Sequence, residues 1–274
     1  MADSISTERF RANDLLVTMK PDMTHVTDAD RAVEAAIRGG LADSRPLDGI
    51  LGEEFGGEFD GEFDGNGDNE SNDESGGNRG HDDVERDARR QWIVDPIDGT
   101  ANFVRGVPVW ATLISLAVGG VPVVGVVSAP ALGQRWWAAK GQGAWTSERV
   151  SDTERRERRI FVSGVSEVAN ASLSYNSLKG WDECGYLDHL VSLSREVWRT
   201  RAYGDMWSYM MVAEGLIDIA GEFDLKPWDM AALIPIVEEA GGTFTSAAGI
   251  PGPWHGSAIA TNTLLHEAVL GLLK

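Results

Sequence analysis

The chain has 274 residues and a formal net charge of −19, from 43 acidic and 24 basic side chains. This length allows one large domain or two compact halves that share a core. The negative charge argues against nucleic acid as a partner, because phosphate backbones are bound by basic surfaces. No apolar run reaches membrane-helix length, and residues 1–13 lack the apolar core of a signal peptide. We therefore expect a cytoplasmic protein with no membrane contact.

The hydrophobic pattern predicts strands and helices that alternate in an irregular order. Helix is predicted over residues 6–38 with an interruption at Pro21, and again over 187–196, 206–214 and 229–240. Strands are predicted over 91–95, 111–118, 121–128, 134–139 and 160–165, and residues 258–274 predict a strand followed by a closing helix. This order favours a layered α/β or α+β fold.

An acidic tract separates the first predicted helix from the first predicted strand. Residues 56–90 repeat Gly-Glu-Phe-Asp and continue with Gly, Asn, Asp and Ser. The tract holds twelve acidic and four basic residues, so it carries −8 of the net charge. A segment so polar buries little apolar surface, which predicts a disordered insertion.

The strongest chemical signal is the segment from Asp95 to Thr100, Asp-Pro-Ile-Asp-Gly-Thr, directly after the strand at 91–95. Asp95 and Asp98 lie three residues apart on a predicted tight turn, with the carbonyl of Ile97 between them. Magnesium and manganese prefer such oxygen ligands. Gly99 lets backbone amides approach a phosphate closely, and Thr100 can orient a water molecule. The alternative is an ordinary Asx-rich turn without a metal.

Two distant acidic positions favour the metal site over the ordinary turn. Asp229 opens a predicted helix, where a carboxylate is either a helix cap or a ligand. Glu53 lies in the paired acidic turn Gly52-Glu53-Glu54. Together with Asp95 and Asp98, these side chains predict a site for a pair of hard cations.

Four motifs, in this order along the chain, resemble the inositol monophosphatase family. They are Lys20 with Val26-Thr27-Asp28-Ala29-Asp30, Gly52-Glu53-Glu54, Asp95-Pro96-Ile97-Asp98-Gly99-Thr100 with Asn102-Phe103, and Trp228-Asp229-Met230-Ala231-Ala232 through Glu239-Ala240-Gly241-Gly242. The resemblance implies the αβαβα sandwich shared with fructose-1,6-bisphosphatase. It also implies an N-terminal half, 1–148, with most metal ligands, a C-terminal half, 149–274, with Asp229 and the specificity residues, and a homodimer.

The resemblance further implies a magnesium site with two or three ions, with manganese as an alternative. Glu53, Asp95 and the Ile97 carbonyl are expected to hold one ion. Asp95, Asp98 and Asp229 are expected to hold a second ion, so that Asp95 bridges the two.

The implied reaction is hydrolysis of a phosphate monoester by water, without a phosphoenzyme. Glu53, Thr100 and Asp98 form the expected catalytic group, with Glu53 and Thr100 placing a water molecule whose pKa falls on the metal. Gly99 and Thr100 are expected to hold the phosphate, and Asp98 and Asp229 to border the substrate.

A narrower resemblance points to histidinol-phosphatases of the actinobacterial type. It rests on the segments 104–111, 128–132 with 135–137, and 201–205. It implies hydrolysis of histidinol phosphate in histidine biosynthesis. Arg201, Gly204, Asp205 and Glu222 are expected to face the organic part of the substrate, with Asp205 and Glu222 pairing with its amine or imidazolium.

Three alternatives stay open at this point. The first alternative is an inositol-1-phosphatase or a broad sugar-phosphate phosphatase. The second is a metal-binding homologue without turnover. For Arg201 and Asp205, the alternative role is an ion pair with each other that serves only the fold.

Overall fold

The structure, a computed structural model, describes residues 1–20, 24–57, 90–151 and 153–274. Its helices are α1 (Ala2–Arg9), α2 (Asp28–Ser44), α3 (Thr100–Arg105), α4 (Leu178–Glu183), α5 (Leu187–Glu196), α6 (Asp205–Ala213), α7 (Pro227–Ala231), α8 (Leu233–Glu239) and α9 (His266–Leu272). Its strands are β1 (Val17–Met19), β2 (His25–Thr27), β3 (Gly49–Gly52), β4 (Arg90–Asp98), β5 (Ala111–Val118), β6 (Val121–Ala129), β7 (Gln134–Ala139), β8 (Ala144–Arg149), β9 (Arg155–Arg159), β10 (Ser172–Tyr175), β11 (Arg199–Arg201), β12 (Ile219–Phe223), β13 (Thr243–Thr245) and β14 (Ser257–Thr261).

Two sheets organise the described residues. The seven-stranded sheet has the order β3-β4-β5-β6-β7-β8-β9, antiparallel except for the parallel pair β3 and β4. The five-stranded sheet has the order β11-β10-β12-β14-β13. The first sheet continues to Arg159 and the second begins at Ser172, so the predicted division after residue 148 falls within β8 and stays a prediction.

The sheets and helices stack in five layers. Helices α1 and α2 cover one face of the seven-stranded sheet, and α6, α7 and α8 fill the space between the two sheets. Helices α4, α5 and α9 form the last layer, outside the five-stranded sheet. The expected αβαβα sandwich is confirmed, because helix layers and sheets alternate through this stack.

Composition predicted a disordered acidic insertion and no membrane-spanning helix. The predicted disordered insertion at 56–90 lies, apart from its ends, outside the described residues. Within the described ranges, no helix combines the length and the apolar character that crossing a membrane requires.

The predicted helix over residues 6–38 is wrong in its middle. Helix α1 ends at Arg9, and β1 pairs with β2 as an antiparallel hairpin before α2 begins. β-branched residues such as Val17 and Val26 favour this extended pairing. The side chain of Thr27 then caps α2 by accepting from the backbone of Ala29.

The predicted strand at 160–165 is also wrong. Strand β9 comes earlier, at Arg155–Arg159. Its side chains are all charged and exposed, so no alternation of apolar and polar residues indicates the strand. Ile160 still bonds the carbonyl of Ala144, but Val162 donates to Ala240. This stretch therefore crosses between layers instead of extending a sheet.

The predicted helix over 229–240 is two short helices, α7 and α8. Pro235 has no N–H for the carbonyl of Ala231, four residues earlier, so the helical ladder is interrupted there. That carbonyl instead accepts from the hydroxyl of Ser115 on β5 at 3.0 Å. The break thus joins the middle helix layer to the seven-stranded sheet.

Gly125 on β6 lies directly under this break. A Cβ atom there would overlap the carbonyl oxygen of Ala232 and lie 2.8 Å from Cγ of Pro235. A side chain at this position would therefore push the middle helices away from the sheet.

We predict that Gly125→Ala lowers the free energy of unfolding by about 2–3 kcal/mol, because overpacking a close contact forces the backbone to shift. Urea unfolding of the purified protein measures this. Gly39→Ala is the matched control, since nothing lies within 4 Å of its added Cβ, and its helical position predicts a gain of up to about 1 kcal/mol. Equal stability of the two variants would contradict the prediction.

Candidate active site

The segment from Asp95 to Thr100 is not the separate tight turn that the sequence predicted, because β4 continues to Asp98 and α3 begins at Thr100. The pairing of β4 with β5 is irregular between Asp95 and Asp98. The backbone N–H of Ile97 donates to Oδ1 of Asp95 at 2.9 Å. This local bond holds the Asp95 carboxylate against the irregular end of β4. Asp95 and Asp98 face the same space, since an oxygen of one lies within 4.8 Å of an oxygen of the other.

Asp229 joins these two aspartates from the other half of the chain. It is the third residue of α7, and its Oδ2 accepts from the backbone N–H of Lys226 at 2.7 Å. Asp95, Asp98 and Asp229 each offer an oxygen, and these oxygens lie within 4.8 Å of one another. Asp229 is thus both a helix-capping residue and a member of the carboxylate group.

A second carboxylate group lies beside the first. Asp30, Glu53 and Glu54 also place one oxygen each within 4.8 Å of one another. Nζ of Lys20 lies 2.7 Å from Oε1 of Glu53 and 2.6 Å from Oε1 of Glu54. Glu53 therefore faces Asp30 and Lys20, while its charge also acts on Asp95.

Thr100 links the two groups. Its hydroxyl lies 3.0 Å from the carbonyl oxygen of Ile97 and 3.3 Å from Oδ1 of Asp30. The Ile97 carbonyl, an expected metal ligand, thus faces the Thr100 hydroxyl. Gly99 precedes α3 with a left-handed φ of 82°, which glycine adopts without steric cost.

The carboxylates have raised pKa values because they are buried together. Burial, followed by the charges of Glu53, Asp98 and Asp229, raises the pKa of Asp95 well above its usual range. Burial, together with the charges of Asp205 and Asp229, does the same for Asp98. Burial raises the pKa of Asp229 to about 6 against the hydrogen bond from Lys226. Such a set of hard oxygen donors fits divalent cations, which offset the repulsion.

Asp205 and Glu222 lie near Asp98, because, besides burial, the charge of each raises the pKa of the Asp98 carboxyl group. Oδ2 of Asp205 accepts from Nδ2 of Asn102 at 2.8 Å, and the next backbone N–H, of Met206, donates to Oδ2 of Asp98 at 2.8 Å. Burial raises the pKa of Asp205 to about 6. The start of α6 thus connects the expected specificity residue directly to an expected metal ligand.

Glu222 lies on β12, almost fully buried. It accepts from the hydroxyl of Tyr209 at 3.2 Å and from the side-chain amide of Asn176. Burial and the nearby charge of Asp205 raise its pKa to about 8. Two neutral donors therefore orient this carboxylate without neutralising it.

Arg201 and Gly204 flank this region. Arg201 is exposed at the end of β11, and its guanidinium donates to the carbonyl of Thr200 at 2.7 Å. Among the described residues, the ion pairs include none between Arg201 and Asp205. The purely structural pairing that the sequence left open is therefore absent from this part of the chain.

Sequence reasoning missed Asp30 and Asn102 as members of the site. Asp30 entered the sequence analysis only as the last residue of the first family motif, and its Oδ2 accepts from the backbone N–H of Thr27 at 2.8 Å. Its second oxygen reaches Thr100 only in the folded chain. The signal in the sequence was the acidic pair Asp28 and Asp30, to which no role was assigned.

Comparison with known proteins agrees with this geometry. The model of the inositol monophosphatase family matches residues 2–274. A histidinol-phosphatase of Mycobacterium tuberculosis is 52% identical, with 100% of this chain and 94% of that protein covered. A histidinol-phosphatase of Streptomyces coelicolor is 50% identical, with 100% and 92% covered.

Solved structures show the same fold. The extragenic suppressor protein suhB of Bartonella henselae aligns with a TM-score of 0.79 at 28% identity, over 100% of this chain and 94% of that one. An inositol monophosphatase of Zymomonas mobilis aligns with a TM-score of 0.76 at 30% identity, over 99% and 92%. With the family model matched along almost the entire sequence, this chain belongs to the inositol monophosphatase family.

Proposed function

We propose that this protein is a histidinol-phosphatase, which hydrolyses histidinol phosphate to histidinol and phosphate in histidine biosynthesis with the help of divalent cations. The single observation that carries the chemistry is the convergence of Asp95, Asp98 and Asp229 on one point. The substrate assignment is supported by the two relatives named histidinol-phosphatase, at 50% and 52% identity over the full chain.

The carboxylate groups are suited to magnesium, with manganese as the alternative. We assign Asp95, Asp98 and Asp229 to one ion, and Glu53 with Asp95 and the Ile97 carbonyl to another. When bound, such ions lower the pKa of a water molecule and stabilise negative charge on a phosphate. Lys20 pairs with both Glu53 and Glu54, but its single positive charge leaves most of the negative charge of the two carboxylate groups uncompensated.

We assign Thr100 to the orientation of the attacking water. Its hydroxyl has the Ile97 carbonyl and the Asp30 carboxylate as neighbours, so it donates to one and accepts from water with its free lone pairs. Glu53, which has an oxygen within 4.8 Å of an oxygen of Asp30, is the second residue assigned to the water. Gly99 and Thr100, at the start of α3, are assigned to the phosphate.

Asp205 and Glu222 are assigned to the organic part of the substrate. Asn102 occupies one oxygen of Asp205 and leaves the other available. Two buried carboxylates beside a phosphate site favour a substrate that carries a positive charge, because each remains uncompensated by a basic side chain. Histidinol phosphate offers an amine and an imidazole, whereas inositol phosphate offers only hydroxyl groups.

A second candidate is an inositol-1-phosphatase or a broad sugar-phosphate phosphatase. It is favoured by the relative named inositol-1-monophosphatase in Rhizobium meliloti, 31% identical over 99% of this chain. A homodimer, a cytoplasmic location and the preference for magnesium remain predictions that the family resemblance supports.

The relative rates on histidinol phosphate and inositol phosphate separate the two candidate functions. We expect phosphate release from histidinol phosphate at least about tenfold faster, in kcat/KM, than from inositol phosphate, because one ion pair in a buried site contributes about 1.4 kcal/mol or more. A phosphate-release assay with both substrates at matched concentrations and excess magnesium measures the ratio. Preference for inositol phosphate would defeat the assignment, and no release from either would indicate a homologue without turnover.

The second prediction concerns the metal ligands. Asp95→Asn and Asp229→Asn each remove one anionic ligand, and we expect kcat to fall by about a thousandfold, since cation stabilisation of the reacting phosphate contributes several kcal/mol. The matched control is Asp182→Asn, a change at an exposed aspartate of α4. Circular dichroism checks that the variants are folded. Parent-like rates in the folded Asp95 and Asp229 variants would refute the two-ion site.

The third prediction concerns selectivity. We expect Asp205→Asn to raise KM for histidinol phosphate by about tenfold, the effect of losing one buried charge interaction of about 1.4 kcal/mol. Inositol phosphate carries no positive charge, so its kcat/KM should change less. The control is Asp224→Asn, a change at an exposed aspartate two residues after Glu222. Equal losses on both substrates would show that Asp205 supports the site as a whole.

A further inference from the structure

Glu34 is a fully buried acid on α2 that faces the acidic turn after β3. Its Oε2 accepts from the backbone N–H of Glu54 at 2.7 Å, and its Oε1 accepts from the backbone N–H of Phe55 at 3.2 Å. Burying a carboxylate is costly unless hydrogen bonds and a counter-charge satisfy it. These two bonds therefore tie α2 to the turn that carries Glu53.

Arg38, one helical turn further along α2, supplies the counter-charge. Its Nε donates to Oε1 of Glu34 at 2.8 Å, and its Nη2 donates to the carbonyl of Gly56. The guanidinium also lies over the ring of Phe55, 5.9 Å from its centroid. Glu34 therefore binds backbone N–H groups of the turn, and Arg38 binds a backbone carbonyl of the same turn.

The turn itself is shaped to fit the Glu34 carboxylate. A Cβ atom at position 52 would overlap the carboxyl group of Glu34, so only glycine permits this approach. The turn closes on itself, because the N–H of Gly52 donates to the carbonyl of Gly56 at 3.0 Å. The residue between the two contacts of Glu34, at Gly52 and Glu54, is Glu53.

We propose that Glu34 is a positioning residue, which fixes the turn so that the Glu53 carboxylate faces Asp30 in the second carboxylate group. The backbone N–H of Glu53 donates to the carbonyl of Val94 at 3.2 Å, so β4 holds the turn from one side and Glu34 from the other. This inference rests on the proposed function only in assigning Glu53 to cations and water. The inference adds Glu34, a residue of α2 to which neither the cations nor the water is assigned.

The competing explanation is that Glu34 serves only the packing of α2 on the sheet. The two explanations differ in what happens when Glu53 is already altered. A residue that acts through Glu53 loses its effect in a Glu53 variant, whereas a residue that serves only the fold keeps it. A double-mutant cycle therefore separates them.

The experiment uses the full chain with Glu34→Gln, Glu53→Gln, the double variant and the parent. Calorimetric titration with magnesium or manganese chloride gives the cation affinity, and phosphate release from whichever monoester the parent hydrolyses gives kcat. We expect Glu34→Gln alone to weaken cation binding and lower kcat by about tenfold each, from one lost charged hydrogen bond. In the Glu53→Gln background we expect the same change to matter by less than about twofold.

Asp43→Asn is the matched control, since Asp43 is an exposed acid on the same helix. It should leave both quantities unchanged. If Glu34→Gln does not fold, Glu34→Asp replaces it in the cycle, because it keeps a carboxylate beside Arg38 but shortens its reach to the backbone N–H of Glu54. The same non-additivity is then expected.

Additive losses in the cycle, or an unchanged cation affinity with a lower melting temperature, would overturn the role of Glu34. A parent protein that binds the cations but releases no phosphate would overturn the proposed function instead. In that case the cation affinities alone still decide whether Glu34 acts through Glu53.

Discussion

The repulsion between buried carboxylates is the constraint on which the rest of this structure depends. Asp95, Asp98 and Asp229 share one point, and Asp30 and Glu53 lie beside them. Burial and mutual charge raise the pKa values of all five. Bringing such groups together costs stability, and a cation bound among them would offset that cost.

Backbone donors hold the carboxylates in place. Asp95 accepts from the N–H of Ile97, Asp98 from that of Met206 and Asp229 from that of Lys226. The donors belong to the irregular end of β4 and to the starts of α6 and α7, so the fold orients each acid without neutralising it. The acids come from both halves of the chain, which explains why the site lies where the seven-stranded sheet meets the middle helix layer. Glu34 extends this support to the turn of Glu53.

Strongly periodic elements were predictable from the sequence. The strand at 111–118 and the helix at 187–196 have the predicted bounds, because alternation every second residue and spacing at 3.6 residues are local signals. The strand at 155–159 was missed, since its charged side chains carry no such signal. The break at Ala232 depends on a missing N–H at Pro235 and on the hydroxyl of Ser115, which lies on a distant strand.

The sequence alone determined the family resemblance and the acidic motif from Asp95 to Thr100, because these lie in continuous segments whose residue types limit their chemistry. Only the tertiary structure decided that Asp30 reaches Thr100, that Asn102 holds Asp205 and that Glu34 holds the turn of Glu53. Each of these contacts joins positions at least twenty residues apart. No local pattern specifies which distant side chains meet, since that depends on how the layers pack.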